Sequence, residues 1–522
     1  MNQQIGVIDL FSGPGGLGEG FSAFSTPEGF KPFKIELSVE KEPAAHATLT
    51  LRSFLRKFEN GFPDEYYDFL NGIRDEPDWE KLYPEQWHAA KHEAVLMELG
   101  HPQTSVFVNE RLESIKKQYG GNTVLIGGPP CQAYSLVGRS RNAGKADYQP
   151  HEDERHFLYQ EYVNVLSNLQ PALFVMENVK GMLSSAVKGD RIFQQVMMDL
   201  QSAGGDQNYK LVALSASSKH QKDWVLPAPS EFIVRAEDYG VPQARHRVII
   251  VGIRSDIELS AYVADELALA KIDKYASVNH VLGSLPKLRS GLSRKDSTES
   301  WCAAVENAIK LISAVDELPD TLKPDQLKQA LEELERQYAE FSRLERKPLS
   351  GTGFHETCPV DLRSWLEDPK LKRLPNHETR GHMASDLGRY MYAALFGTVV
   401  GRSPKAAEFP AELAPNHKNW QTGKFADRFR VQIANRPATT VTSHISKDGH
   451  YFIHPDALQC RSLTVREAAR LQTFPDNYFF KGNRTEQYVQ VGNAVPPYLA
   501  RLIAQAAFQK ICWNSFQTPE NS

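Results

Sequence analysis

The chain is short of cysteine. Five cysteines (Cys131, Cys302, Cys358, Cys460 and Cys512) are scattered over 522 residues, and none falls in a Cys-x-x-Cys spacing. That set excludes a disulfide framework and a zinc ribbon, and no metal site is expected. Long apolar runs are missing too: none approaches the roughly 18 residues of a membrane span. Met1-Asn2-Gln3-Gln4 carries neither a basic region nor a signal core, so the cytoplasm is the expected compartment. A charge excess of one sign is also absent. The net charge is −4, so a polyanionic partner would have to meet a local basic face rather than a basic whole. No internal repeat or long low-complexity tract is visible. What remains is an ordinary globular composition, 41% hydrophobic and 24% charged, with length enough for two or more domains.

Against this background, residues 5–40 read as strand, glycine turn, helix and strand. Ile5 to Phe11 is apolar and β-prone, and Gly13, Gly15 and Gly18 follow in a G-x-G-x-x-G spacing. Lys34 to Glu40 is the next strand, with an acid at its tip, where a nucleotide fold places the group that meets a ribose. A tight turn without a ligand would also satisfy the glycines alone. Pro14 inside the turn stiffens it.

Residues 52–100 are polar, aromatic and irregular, and read as an insertion. Strand-like runs recur at Ser105–Val108, Thr123–Ile126, Leu173–Met176, Lys210–Leu214 and Arg247–Val251, with helical patterns such as Tyr159–Leu169 and Phe193–Gln201 between several of them. Strand alternating with helix predicts a doubly wound α/β sheet. The Thr123–Ile126 run leads into Gly127-Gly128-Pro129-Pro130-Cys131-Gln132. Two prolines stop the strand and fix the backbone directly before a thiol. Such a cysteine is either a small buried hydrophobe or a nucleophile held at a strand tip.

From about residue 256 the texture changes. Gln326–Glu345 carries Leu327, Leu331, Leu334, Tyr338 and Phe341 on one helical stripe, which suits internal packing or a partner. Residues 370–405 hold Lys370, Lys372, Arg373, Arg380, Arg389, Arg402 and Lys405 against Glu378 and Asp386. A second cluster mixes Lys418, Lys424, Arg428 and Arg430 with Trp420 and Phe425. Basic and aromatic side chains interleaved suit either a phosphate backbone or a solvated face.

Four further segments carry chemistry-bearing residues. Met176-Glu177-Asn178-Val179 puts a carboxylate at an apolar strand tip. Gln243-Ala244-Arg245-His246-Arg247 places two arginines on one side of a strand start, able to clamp a phosphate or orient the acid. Arg461–Gln472 reads as a helix with a capping box at Thr464 and Glu467, a structural device. Gln490-Val491-Gly492-Asn493-Ala494-Val495 is a turn before a C-terminal helix.

Together these segments resemble the motifs of the cytosine-C5 DNA methyltransferase family, in that family's order. Asp9 to Gly16 is similar to its cofactor loop, Gly128 to Gln132 to its nucleophile motif, and Glu177-Asn178-Val179 to its acid motif. Gln243-x-Arg245-x-Arg247, the Arg461–Asp476 block and Gly492–Val495 are similar to three more. The resemblance implies a Rossmann-like methyltransferase core with a mixed doubly wound sheet, and a second, smaller DNA-recognition domain. The implied layout is a catalytic and cofactor-binding domain over 1–255, a target-recognition domain over 256–455 and a return to the first domain over 456–522.

The resemblance also implies roles. Cys131 would be the thiolate that attacks C6 of cytosine, with Gln132 beside it. Glu177 would hold N3, and Arg245 and Arg247 the base and its adduct. Phe11, Gly13, Gly15, Gly16, Glu40, Pro130 and Asn493 would bind S-adenosylmethionine, with Asn109 or Glu110 the nearest candidate for the adenine-contacting acid. The target base would be flipped out of duplex DNA, and Ala133–Pro150 resembles the loop that closes on it. Ala133-Tyr134-Ser135 departs from the family's commoner glycine-phenylalanine-serine. A monomer acting beside a cognate restriction endonuclease is expected. An RNA cytosine methyltransferase and a DNA-binding regulator without catalysis are the alternatives. The large recognition region favours duplex DNA over RNA, and the intact Cys131 and Glu177 argue against the regulator.

Overall fold

A computed structural model describes residues 4–130, 158–184, 186–187, 190–214, 226–257, 269–315, 317–337, 342–415, 420 and 428–510. The centre is an eight-stranded mixed sheet. Its parallel strands are β1 (Ile5–Leu10), β2 (Phe33–Glu40), β3 (Ala94–Leu96), β4 (Thr123–Gly127) and β5 (Leu173–Val179). Three more strands follow, β6 (Tyr209–Val212), β7 (Ile233–Arg235) and β8 (His246–Arg254). The order is β3-β2-β1-β4-β5-β8-β6, with β7 also pairing to β8, and β8 runs antiparallel to β5.

The parallel strands are apolar on both faces because both are covered. Ile5, Val7, Val124, Ile126, Leu173 and Val175 pack on one face beneath helices α1 (Gly16–Ala23) and α10 (Pro497–Lys510). Ile8, Leu10, Leu125, Phe174 and Met176 pack on the other, beneath α3 (Pro102–Tyr119) and α4 (Leu158–Leu169). α1 and α10 meet closely: a Cβ on Gly20 would stand 2.4 Å from that of Ala500.

Two expectations change here. Ser105–Val108 is part of helix α3, not a strand. Thr104, Val108, Leu112, Ile115 and Tyr119 are buried along one helical face, and Pro102 opens the helix. The 3.6 period of that whole stretch overrides the β-branched composition of four residues. The third strand is instead Ala94–Leu96, inside the segment read as an insertion, which therefore ends before the sheet is complete. The rest of that segment, from α2 (Pro43–Leu55) onward, packs its Phe54, Tyr66, Leu70 and Trp79 against Leu362, Leu366, Leu471 and Phe474.

A further core lies between α5 (Thr298–Ser313), α6 (Pro324–Arg336) and α7 (Ala384–Val400), with Phe409, Phe429 and Ile453. Leu327, Leu331 and Leu334 are buried in it, so the apolar stripe on α6 is spent on internal packing, and the helix ends at Arg336. Tyr338 and Phe341 lie outside the described residues. No helix among the described residues is long and apolar enough to cross a membrane.

Helix α8 (Val465–Leu471) carries the expected capping box: Thr464 Oγ1 accepts from the Glu467 amide at 3.2 Å, and Glu467 Oε2 accepts from the Thr464 amide at 2.7 Å. Around it Arg461 pairs with Glu467 (2.6 and 2.7 Å) and Arg470 with Asp476 (2.8 and 2.9 Å), all fully buried. Arg466, between them, donates to the carbonyls of Pro375, Pro475 and Tyr478.

Candidate active site

The C-terminal ends of the parallel strands open onto one cleft of about 1610 Å³, the position where an open α/β sheet binds its ligands. Phe11, Gly13 and Gly16 line it beyond β1, Glu40 at the tip of β2, Pro129 and Pro130 beyond β4, and Glu177 at the end of β5. Arg245 and Arg247 come from the start of β8, and Asn493 from the end of α9 (Arg484–Asn493). Cys131 and Gln132 lie outside the described residues, as does the Ala133–Pro150 loop. Pro130, which precedes Cys131 in the chain, is on the cleft wall.

The turn after β1 is fixed from several sides. Phe11, Gly13 and Gly15 have φ of 55°, 58° and 96°, the left-handed region that glycine enters without strain. Gly15 is the N-cap of α1, and Gly16 starts the helix so close to Val495 that a Cβ would sit 2.4 Å from the Val495 carbonyl oxygen. Tyr478 donates its hydroxyl to the carbonyl of Pro14. Glu40 accepts the amides of Gly13 (2.7 Å), Lys41 (2.9 Å) and Glu42 (2.7 Å), which ties the tip of β2 to the glycine turn. Burial raises its carboxyl above the usual range, and those amides work against the rise.

Asp9 was not singled out from sequence, although an acid inside an apolar strand was a signal. It is 1% exposed, faces α1, and its carboxylate oxygens meet no donor at hydrogen-bonding geometry. Burial pushes its pKa up to about 8, partly countered by the charge of Arg56.

Asn109 does not reach the cleft. It is exposed on α3, where its Oδ1 accepts from Asn168 at 2.9 Å. Glu110 is exposed on the same helix. The acid that follows the true third strand is Glu98, which lines the cleft and pairs with Lys41 at 3.1 Å.

On the opposite side of the cleft, Arg247 Nε lies 2.9 Å from Glu177 Oε1, a charge contact between two partly buried groups. Gly128 lets the strand end pass close by: a Cβ there would stand 3.1 Å from Glu177 Oε2. Asn178 Nδ2 donates to the Pro129 carbonyl at 3.2 Å, linking the acid strand to the proline turn. Arg245, two residues from Arg247, is 2% exposed and turns inward. Its Nη1 donates to the carbonyls of Val441 (2.9 Å) and Gly492 (3.3 Å), and burial holds its pKa well below the ordinary arginine value. Of the two arginines, Arg247 meets the acid and Arg245 binds framework.

Gln243 completes that framework. Its side chain accepts from Val441 N (2.7 Å) and donates to Leu471 O (3.1 Å) and Gln472 Oε1 (2.8 Å). Ala438–Thr439 pairs in parallel with Gln243–Ala244. The basic cluster of 370–405 is largely turned into the fold. Arg380 donates to Ile445 and Lys447 carbonyls, Arg389 pairs with Asp386, Arg402 with Glu408, and Arg373 donates to the Leu70 carbonyl. Lys418, Lys424 and Phe425 lie outside the described residues.

The model of the C-5 cytosine-specific DNA methylase family matches residues 101–509. The chain belongs to this family. It is 33% identical over 517 residues to the type II methyltransferase M.Bpa9945I of Bacillus paralicheniformis, covering 96% of this chain and 98% of that one. It is 28% identical over 410 residues to the type II methyltransferase M.AgeI of Thalassovita gelatinovora, covering 73% and 82%. Among solved structures, the fold is similar to that of an Escherichia coli prophage protein described as a candidate DNA modification methyltransferase. That similarity has a TM-score of 0.50 at 18% identity, over 97% of this chain and 99% of the other. This methylase therefore pairs a family sequence with the mixed α/β sheet of methyltransferases.

Proposed function

We propose that this methylase transfers a methyl group from S-adenosylmethionine to C5 of a flipped cytosine in a specific duplex DNA sequence, with Cys131 as nucleophile. The observation that carries the reading is the single cleft holding the Phe11–Gly16 turn, Pro129–Pro130 and the Glu177–Arg247 pair.

The cleft suits such a cofactor chemically. A cationic end would meet the orphaned carboxyl of Asp9, a ribose diol the tip of Glu40, and a planar base Phe11, with Glu98 the acid beyond β3. When bound, S-adenosylmethionine supplies an electrophilic methyl group. The protein's part is to make C5 nucleophilic. Cys131 thiolate would bond to C6, and the electrons of the C5–C6 double bond would move to C5 and take the methyl as its bond to the sulfonium breaks, leaving a neutral thioether. Glu177, positioned by Arg247, would give a proton to N3, where negative charge develops as the thiolate adds. Loss of the C5 proton restores the double bond and expels the thiolate. The chemistry needs the base out of the stack.

In this reading 256–455 supplies target recognition and 456–522 returns to the catalytic domain. The monomeric enzyme works in the cytoplasm, marking host DNA beside an endonuclease of the same specificity. The test is to incubate mixed duplex DNA with labelled S-adenosylmethionine and to map 5-methylcytosine by bisulfite sequencing. Label at one recurring sequence is expected, with none for Cys131→Ala. Absence of label from the wild-type protein overturns the reading, and preferential labelling of transfer RNA in competition would favour the RNA alternative.

A further inference from the structure

Behind the glycine turn lies a buried ion pair that the chemistry above does not use. Arg52, on α2, and Glu19, on α1, are both buried. Arg52 Nε and Nη2 donate to the two oxygens of Glu19 at 2.9 and 2.6 Å, a two-point contact. Burial raises the Glu19 carboxyl, but the charge and hydrogen bonds of Arg52 outweigh it and hold the group below the usual carboxylate range. Arg56 lies 3.6 Å from Glu19 and donates to Glu93 at 2.6 Å, so the close contact to Glu19 belongs to Arg52.

The pair bears on the turn from two directions. Through α1, the Glu19 amide donates to the Gly15 carbonyl at 2.8 Å, so the residue that Arg52 grips is bonded directly to the turn. Through the C-terminal segment, the Arg52 guanidinium lies 4.7 Å from the Tyr478 ring centroid, and Tyr478 donates its hydroxyl to Pro14 inside the turn. Arg52 Nη1 donates to Asn477 Oδ1 at 3.0 Å, and Tyr66 donates to the Asn477 carbonyl at 2.7 Å, which anchors the residue beside Tyr478. Helix α2 also presses on the turn itself. A Cβ on Gly15 would stand 2.9 Å from Leu49 Cδ1, and Leu49 is one helical turn before Arg52. Phe11 holds a φ of 55° without being glycine. A turn of that kind keeps one shape only where its surroundings impose it.

We propose that Arg52 is a positioning residue for S-adenosylmethionine: by clamping Glu19 and Tyr478, it holds the Phe11–Gly16 turn in its receiving shape before the cofactor arrives. The inference rests on the reading of that turn as the cofactor site, and adds to it a residue that touches neither cofactor nor base. A pre-formed turn lowers the ordering cost of binding, so losing the clamp costs affinity and not the chemical step.

The test uses the full-length protein, with S-adenosylmethionine and S-adenosylhomocysteine as probes. Calorimetry gives Kd. Hydrogen exchange in the cofactor-free protein follows the Gly13 and Gly15 amides, which donate to Glu40 (2.7 Å) and Ser12 (2.9 Å). Arg52→Met keeps a long side chain against Tyr478 but leaves Glu19 without its close cation. It should raise Kd for both probes about tenfold and speed exchange of the two amides, with kcat at saturating cofactor and KM for DNA near wild type. Combining it with Glu19→Gln removes both charges, which should return melting toward wild type. Affinity should stay low in that double variant, because the two-point contact is still missing. Arg52→Lys keeps the charge without that contact, should raise Kd in the same direction, and preserves the test if Arg52→Met does not fold. Wild-type affinity and exchange in a folded Arg52 variant would overturn the proposal. Affinity that recovers together with melting in the double variant would also overturn it, since a merely stabilising pair gives that result. A wild-type protein that binds neither probe sinks the cofactor reading instead, so the two failures are distinct.

Discussion

Replacing Arg245 by alanine tests whether this arginine serves chemistry or architecture. Its guanidinium is buried and bonds two carbonyls, Val441 at 2.9 Å and Gly492 at 3.3 Å, on segments far apart in sequence. Truncation leaves both carbonyls without that donor, at about 1–3 kcal/mol for each buried group. Relief of the desolvated charge offsets part of this, because no carboxylate bonds Arg245 directly. The net loss is about 2–5 kcal/mol. At roughly 2 °C per kcal/mol for a chain of this size, melting should fall by about 4–10 °C. Arg247→Ala is the control. Arg247 is partly exposed and touches Glu177, so its loss should leave melting nearly unchanged while kcat falls about 100-fold or more. The assay pairs differential scanning fluorimetry with initial rates at saturating DNA. If Arg245→Ala melts like wild type and loses kcat as Arg247→Ala does, the framework role is wrong and Arg245 contacts the base.

Acid should destabilise the protein in a defined window. Burial pulls His377 down to about 3 and His382 well below its ordinary value, so the folded state binds fewer protons than the unfolded state below pH 6.5. Stability is then full above pH 6.5 and falls on acidification, by about 2 kcal/mol at pH 5 for His377 alone; a flat urea midpoint between pH 7.5 and 5 would contradict this. Gly16→Ala should weaken S-adenosylmethionine binding at least tenfold by calorimetry, because the new methyl would stand 2.4 Å from a backbone oxygen that cannot move freely. Tyr478→Phe removes the hydroxyl bonded to Pro14. It should raise KM for S-adenosylmethionine several-fold and leave KM for DNA alone, and equal changes in both would refute a local effect.

Much of this protein was legible in its sequence because the signals are local. Gly13 and Gly15 mark positive φ in the turn, and Pro129-Pro130 stop a strand at the cleft. Thr464 and Glu467 cap a helix through their own backbone, and alternating apolar runs declare a sheet buried on both faces. The misreadings share one cause. Ser105–Val108 is β-branched enough to suggest a strand, but only packing of α3 on the sheet shows that a helical face is buried there. Placing β3 wrongly put the acid expected after it, Asn109 or Glu110, on the exposed face of α3, whereas Glu98, the acid that follows the actual β3, lines the cleft.

What spacing could not supply is which partner each charged side chain takes. Arg245 and Arg247 look equivalent, two residues apart on one side of a strand. The strand start lies between a buried junction and an open cleft, so one guanidinium binds Val441 and Gly492 while the other meets Glu177. The arginines of 370–405 read as a basic surface, yet long side chains reach carbonyls and acids distant in sequence and most are absorbed into the fold. Chain-local physics fixed the strands, turns and caps. Long-range contacts, which no local pattern encodes, decided which charges face the cleft.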